Sequence, residues 1–310
     1  MNNLKFNFNS IIELINTFNT EQKCIEYLEQ IRWNGNVVSP YDSTSKVYKC
    51  QNNRYRCKNT KKDFNVRTNT LFGESKIKLQ TWFLGIYLIT SHKKGISSLQ
   101  LSKDLNVTQK TSWFMLQRIR NCFGIETEQL SGVVEVDETF IGGKYNNQNI
   151  KEGEKRDQGR SVKQKTPVLG MVERGGKLIG KVVSDTKSKT LIPHIVQNIK
   201  GGVSVMTDEW MSYKSLYKNY IHSVIKHNEK EYVKGNTHTN TIEGFWSLLK
   251  KGIIGIYHST SKKHLQKYVD EFVFRYNLRD VDYSECERFN YFFGNMECRL
   301  KYKELIKSVV

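Results

Sequence analysis

The sequence predicts an α/β fold, a sheet flanked by helices, and three features predict it. Two short runs rich in β-branched residues, 133–139 and 203–208, close on acids: Asp137 and Glu138 in the first, Asp208 in the second. Two more apolar runs, 167–173 and 177–183, are joined through Gly175 and Gly176, which is a hairpin signal. Farther on, Ile242, Phe245, Trp246, Leu249 and Ile253 follow the i, i+3, i+4, i+7, i+11 stripe of a helix with one core-facing side.

The elements follow in order. Residues 1 to about 35 read as helix, with Ile11, Ile12, Leu14, Ile15 and Phe18 ahead of a second apolar set from Cys24 to Ile31; nothing here carries chemistry, so the segment is packing or an interaction arm. From 37 to 66 the text is short strands and turns. Tyr48, Tyr55 and Phe64 are its packing residues, and Lys49, Arg54, Arg56, Lys58, Lys61 and Lys62 make a basic surface suited to phosphate or to solvent. The run 79–89 is apolar enough for a buried helix, with Trp82 and Tyr87 in the core.

Ser97 and Gln100 then have capping-box spacing at the start of a helix. Asn106 and Val107 turn the chain, and Thr108 caps a second helix running to about Cys122. Two helices across a short turn spell a helix-turn-helix, whose second helix lies in the major groove and sets its early residues on bases. Gln109, Lys110 and Ser112 are then candidate base readers, and Arg118 and Arg120 candidate phosphate contacts. Helix pairs also occur in any bundle, so this pattern alone leaves both readings open.

Between 142 and 164 glycine, asparagine and charge dominate; Lys144, Lys151, Lys155, Arg156, Arg160, Lys163 and Lys165 belong to a solvated loop or one that grips a substrate. The stretch 189–199 reads as helix, the strand ending at Asp208 follows, and Ser261 opens a helix buried through Leu265, Tyr268, Val269, Phe272, Val273 and Tyr276. Ser284 and Glu287 start one more short helix by capping-box spacing. The expected segments are N-terminal helices and ribbon over 1–70, the helix pair over 71–125, the sheet domain over 130–280 and a helical tail over 281–310.

Charge narrows the partner. Among 310 residues, 49 Lys and Arg face 31 Asp and Glu, a net +18 with a pI near 9.5, and an excess that large points to a polyanion such as nucleic acid. No apolar stretch reaches the roughly 20 residues of a membrane span and no signal peptide opens the chain, so a cytoplasmic protein with no membrane partner is expected. Six cysteines in no scaffold spacing fit reduced thiols.

An acid at a strand end is ordinary turn chemistry unless others join it. Here Asp137 and Asp208 repeat one pattern, and Glu243 shares a helix face with Ser247 and Lys250, beside the apolar stripe. Three converging carboxylates raise one another's pKa unless a cation is present. Hard oxygen ligands favour Mg²⁺ or Mn²⁺, and two such ions about 4 Å apart activate the attacking oxygen and stabilise the leaving one in a phosphoryl displacement. The implied chemistry is phosphodiester cleavage or transfer.

Three blocks carry a resemblance: Asp137 to Lys144, Thr207 to Trp210, and His238 to Lys250. They closely resemble blocks of bacterial insertion-sequence DDE transposases, the group related to eukaryotic Merlin elements, and the likeness continues from about Cys50 to Asn277 with order and spacing intact. The resemblance implies a ribonuclease H-like mixed sheet flanked by helices, with Asp137, Asp208 and Glu243 as the catalytic, metal-binding triad for two Mg²⁺ or Mn²⁺ ions. It makes Lys250 a contact to DNA phosphate and Asn240 a polar residue beside the triad, included among the DNA contacts. It also implies double-stranded DNA as partner, both terminal inverted repeats and target, and a homodimer or larger assembly.

Many members of that group carry a zinc ribbon ahead of the helix-turn-helix, with two C-x-x-C pairs. Here those positions fall on Ser39, Asp42, Cys57 and Thr60, so one thiolate of four survives and no zinc is expected. The reading is a transposase that cleaves its element's ends and transfers the 3′-hydroxyl to target DNA. Its alternatives are a catalytically silent DNA-binding derivative and a ribonuclease H-like nuclease.

Overall fold

A computed structural model describes residues 6–124, 128–142, 165–225, 237–279 and 281–307. The chain forms two compact units, one of residues 1–125 with 280–310 and one of residues 126–279. Among the described residues no helix is long and apolar enough to cross a membrane.

In the first unit the N-terminal helical stretch is two helices, α1 (Ile11–Thr17) and α2 (Glu21–Trp33), because Ser10 and Thr20 each cap a start through the side-chain oxygen. The strands β1 (Val47–Cys50), β2 (Arg54–Cys57) and β3 (Asp63–Phe64) make an antiparallel sheet, packed through Tyr55 stacked on Phe64 with Trp33 edge-on. Tyr48, expected to hold this ribbon, instead points outward and is 44% exposed. Period-2 alternation explains it: Tyr48 pairs with exposed Arg56, on the face opposite Tyr55.

Ser39, Cys57 and Thr60, at three of the four positions aligned with zinc ligands, meet around one sulfur. Burial pushes the Cys57 thiol up, but the hydroxyls of Ser39 and Ser45 and the Thr60 backbone outweigh it and bring it down to about 6. Asp42 is taken instead by Thr44 and Asn59.

The buried helix α3 (Leu79–Ser91) packs on the C-terminal helix Glu285–Phe293, with Phe83 against both Phe289 and Phe293. The tail beyond 280 is therefore core to this unit. The helices α4 (Ser98–Asp104) and α5 (Gln109–Arg120) start at Ser97 and Thr108, whose side-chain oxygens accept from Gln100 N and Thr111 N. The Gln100 side chain donates to Asp104 rather than completing the expected capping box, and the turn between the helices uses Asn106 at a left-handed φ of 49°.

Three of the five candidate DNA contacts on α5 are buried. Ser112 is fully covered and donates to Ser98 O at 2.6 Å; Arg120 is 1% exposed. Arg118 donates to the carbonyls of Leu71, Gly73 and Leu300 at 2.9, 2.9 and 3.1 Å, so its charge joins segments of its own unit. Both faces of α5 are covered over its second half, which a basic side chain at helical spacing does not reveal. Gln109 and Lys110 stay exposed, Gln109 donating to Ser98 Oγ and Lys110 lying over the Tyr302 ring. The structure also pairs Cys122 with Cys298 in a disulfide, where reduced thiols were expected; a separation of 176 residues hides such a pair from spacing arguments.

The second unit is built on a five-stranded mixed sheet. Its strands are β4 (Val134–Ile141), β5 (Thr166–Glu173), β6 (Leu178–Val182), β7 (Ser204–Asp208) and β8 (Ile221–Ile225), in spatial order β6-β5-β4-β7-β8. The first three pair antiparallel, and β4-β7-β8 run parallel. β8 is an edge strand with Ile221 and Val224 facing out, so it lacks the apolar run that marks the others.

Helices cover both faces. α6 (Ser188–Asn198) and the turn helix Met211–Lys218 pack on Val134, Val136, Leu169 and Met171; α7 (Asn240–Gly252) and α8 (Leu265–Asn277) pack on Ile141, Val168 and Val172. This arrangement is compatible with a ribonuclease H-like fold. The basic stretch 144–164 lies outside the described residues, apart from Lys165 just beyond it.

Arg118→Ala leaves three carbonyls without their charged donor and is expected to lower stability by on the order of 3 kcal/mol. Lys110→Ala should stay within about 0.5 kcal/mol of the unaltered protein. Urea denaturation of the two variants checks this pair of outcomes.

Candidate active site

β4 continues to Ile141, so Asp137 lies in the middle of this strand rather than at its end. The β4-β7 ladder pairs Val134 with Val205 and Glu135 with Met206, and the same register carried two residues on sets Asp137 beside Asp208. Parallel neighbours lie about 4.8 Å apart, so the two carboxylates are adjacent by construction. β7 stops at Asp208, whose Oδ1 accepts from Trp210 N at 3.0 Å and turns the chain away.

Glu243 arrives from α7, in the first turn, where the positive end of the helix favours an acid. Ile242, Phe245, Trp246, Leu249 and Ile253 are all buried, as their spacing predicts, and the neighbouring face carries Glu243, Ser247 and Lys250 outward. A cleft of about 430 Å³ is lined by Asp137, Glu138, Thr139, Asp208, Thr239, Glu243, Trp246, Ser247 and Lys250. The three acids and the lysine thus share one concavity. Asn240 does not line it and is exposed at the helix start.

The acids are in unequal surroundings. Burial, then the charges of Glu138 and Asp208, push the Asp137 carboxyl up to about 7, against a hydrogen bond from Trp246. That bond, Trp246 Nε1 to Asp137 Oδ2, is 2.9 Å long. Glu243 Oε1 accepts from the Thr239 hydroxyl at 3.0 Å. Glu138 points to the opposite face of β4, where Tyr213 Oη donates to it at 2.5 Å, and burial followed by the Glu138 charge holds the Tyr213 phenol well above its usual range.

Among the described residues no three His, Cys, Asp or Glu side chains stand in a ready-made metal cage. The donor chemistry nevertheless fits a hard divalent cation. Carboxylate oxygens from two strands and a helix open on one cleft, and burial, followed by the acids beside it, drives Asp137 toward its protonated form.

Two features of the site escape periodicity. Trp246 is core, as its stripe position implies, but its indole N–H also holds Asp137. Gly170 sits opposite Asp137 in β5, and a Cβ there would come within 2.6 Å of the Trp246 ring and 2.7 Å of Ile242. His238, just ahead of α7, lies with Nδ1 3.2 Å from Glu135.

Residues 129–277 match the model of the ISXO2-like transposase domain. The chain is 28% identical over 277 residues to an uncharacterized protein in transposable element ISH50 of Halobacterium salinarum, covering 84% of this chain and 92% of that one. It is 27% identical over 106 residues to an uncharacterized transposase-like protein of Haemophilus influenzae, covering 34% of this chain and 85% of that one. These likenesses support an insertion-sequence transposase, a class of DNA-processing enzyme.

Two outcomes follow from the geometry. Gly170→Ala should cost about 1–3 kcal/mol through overpacking against Trp246, read by thermal unfolding. The raised Asp137 favours its uncharged form in the fold, so its stabilising contribution is complete below the usual carboxylate range and is lost as pH rises through about 7. In EDTA, the melting temperature should therefore fall between pH 5 and pH 8, and Asp137→Asn should flatten that dependence.

Proposed function

We propose that the protein is a DDE transposase of the Merlin-related group with a ribonuclease H-like catalytic domain, and that Asp137, Asp208 and Glu243 are its metal-binding triad. The observation that carries this reading is the shared cleft: two adjacent strands and the first turn of α7 turn three carboxylates, and Lys250 with them, toward one space. The match to the ISXO2-like transposase domain spans all four residues.

Two bound Mg²⁺ or Mn²⁺ ions would supply activation of the attacking oxygen and stabilisation of the leaving one at a phosphodiester. The chain's own part is positioning and charge. Asp137 is fixed by the Trp246 indole, Asp208 by the turn at Trp210, and Glu243 by the Thr239 hydroxyl. Lys250 lies two helical turns beyond Glu243 on the same face and meets the phosphate backbone of the DNA. Asn240, exposed at the head of α7, is a neighbouring DNA contact.

Recognition of the terminal inverted repeats falls to the first unit, where α4 and α5 act as a helix-turn-helix and present Gln109 and Lys110. The net charge of +18 suits the double-stranded DNA this requires. Joining two ends in one event calls for a homodimer or larger assembly, with transfer of the freed 3′-hydroxyl to target DNA.

The test is a labelled duplex made from DNA flanking the coding sequence, incubated in Mg²⁺ or EDTA with the unaltered protein, Asp208→Asn and Glu243→Gln. Metal-dependent nicking at the repeat boundary and joining to a second duplex are expected. Both should fall at least about 10³-fold in each variant while binding persists. Sequence-specific binding without cleavage by the unaltered protein would favour the silent DNA-binding reading, and cleavage without end specificity the nuclease.

A further inference from the structure

Glu135 lies two residues before Asp137 on the same face of β4 and is fully buried. A buried carboxylate persists only when its oxygens are met by donors. Oε2 of Glu135 accepts from Thr241 N at 2.8 Å and Ile242 N at 3.1 Å; Oε1 accepts from Thr241 Oγ1 at 2.8 Å and Arg174 Nε at 2.7 Å. Arg174 reaches on to His238 O at 2.9 Å, so the residue before the helix cap is held by the same cluster.

The two amides are the second and third of α7, groups that every helix start leaves without an intrahelical acceptor. A threonine at the cap position ordinarily accepts from one of them. Thr239 occupies that position and makes no such bond. Its hydroxyl instead donates to Glu243 Oε1 at 3.0 Å.

We propose that Glu135 and Thr239 are positioning residues: Glu135, from the strand, caps α7 in place of its own threonine, and the hydroxyl so released orients Glu243 toward the strand acids. One face of β4 then does two jobs at adjacent positions. Glu135 fastens the helix, and Asp137 supplies an acid to the cleft. The distance between the strand acids and the helix acid is set by the Glu135 clamp at the head of α7 and by the Trp246 bond to Asp137 one turn later.

This assignment rests on the triad reading above. Its test is Mn²⁺ titration of the full-length protein followed by electron paramagnetic resonance, with thermal unfolding in EDTA alongside. Glu135→Gln keeps the shape but turns a donor toward Arg174, and it should weaken Mn²⁺ binding about tenfold or more, the size seen when a ligand's supporting partner is lost. Thr239→Val should weaken it similarly, and Thr239→Ser, which restores the hydroxyl, should recover it.

A lower melting temperature with unchanged Mn²⁺ affinity in Glu135→Gln would make the cluster a stabilising clamp only and overturn the proposal. If that variant does not fold, the Val and Ser variants decide: equal affinities overturn it, and loss with serine rescue supports it. Unaltered protein that binds Mn²⁺ no better than Asp137→Asn would remove the triad reading itself. That failure differs from one in which only the positioning variants are silent.

Discussion

The second unit depends on how closely α7 can lie on the sheet. The Trp246 indole rests over Gly170 and donates to Asp137, and it can do so only because Gly170, the residue paired with Asp137 across the ladder, has no side chain to hold it off. Close packing makes this contact all-or-none, since an interior at crystal-like density has no slack to absorb a displaced indole. Glu243 and Lys250 flank Trp246 on the adjoining helix face and move with it. The cleft therefore inherits its dimensions from an apolar contact between a ring and a backbone.

That contact holds acids together against their mutual repulsion. Asp208 and Asp137 are neighbours by strand register, which is fixed by backbone hydrogen bonds and cannot relax to separate the charges. Burial, with the charges of Glu138 and Asp208 added to it, pushes the Asp137 carboxyl up to about 7. Glu138, next in sequence, is turned by alternation to the other face, where the Tyr213 hydroxyl meets it, but its charge still acts on Asp137. A divalent cation would reverse the repulsion that now raises Asp137, which ties charge neutralisation in the cleft to integrity of the sheet.

Much of this was legible in the sequence. The strand closing on Asp208, the Gly175–Gly176 hairpin and the stripe from Ile242 to Ile253 all report period and turn chemistry, which are local properties, whereas the strand expected to close on Asp137 runs on to Ile141. What escaped is tertiary. Arg118 reads as a phosphate contact until three carbonyls, two of them more than 40 residues away and one 182, are seen to need it. Tyr48 reads as core until its register partner proves exposed, and β8 is silent because an edge strand with outward Ile221 and Val224 carries no apolar signature. Gly170 is one glycine among 21, and only the ring above it gives it meaning.

Glu135 and Asp137 make the same point within one strand. They share a face and lie two residues apart, Glu135 fully buried and Asp137 half-buried at the cleft, and their surroundings are opposite. Glu135 is met by a guanidinium, a hydroxyl and two helix amides, so an anion there is satisfied where it stands. Asp137 meets two carboxylates, the Trp246 indole N–H and the Glu138 backbone, and none of these carries a positive charge. A satisfied buried charge can only hold structure in place, whereas one left short of positive charge is poised to accept a cation. What separates the clamp from the proposed ligand on this strand is the set of groups folded against each, and α7 supplies members of both sets.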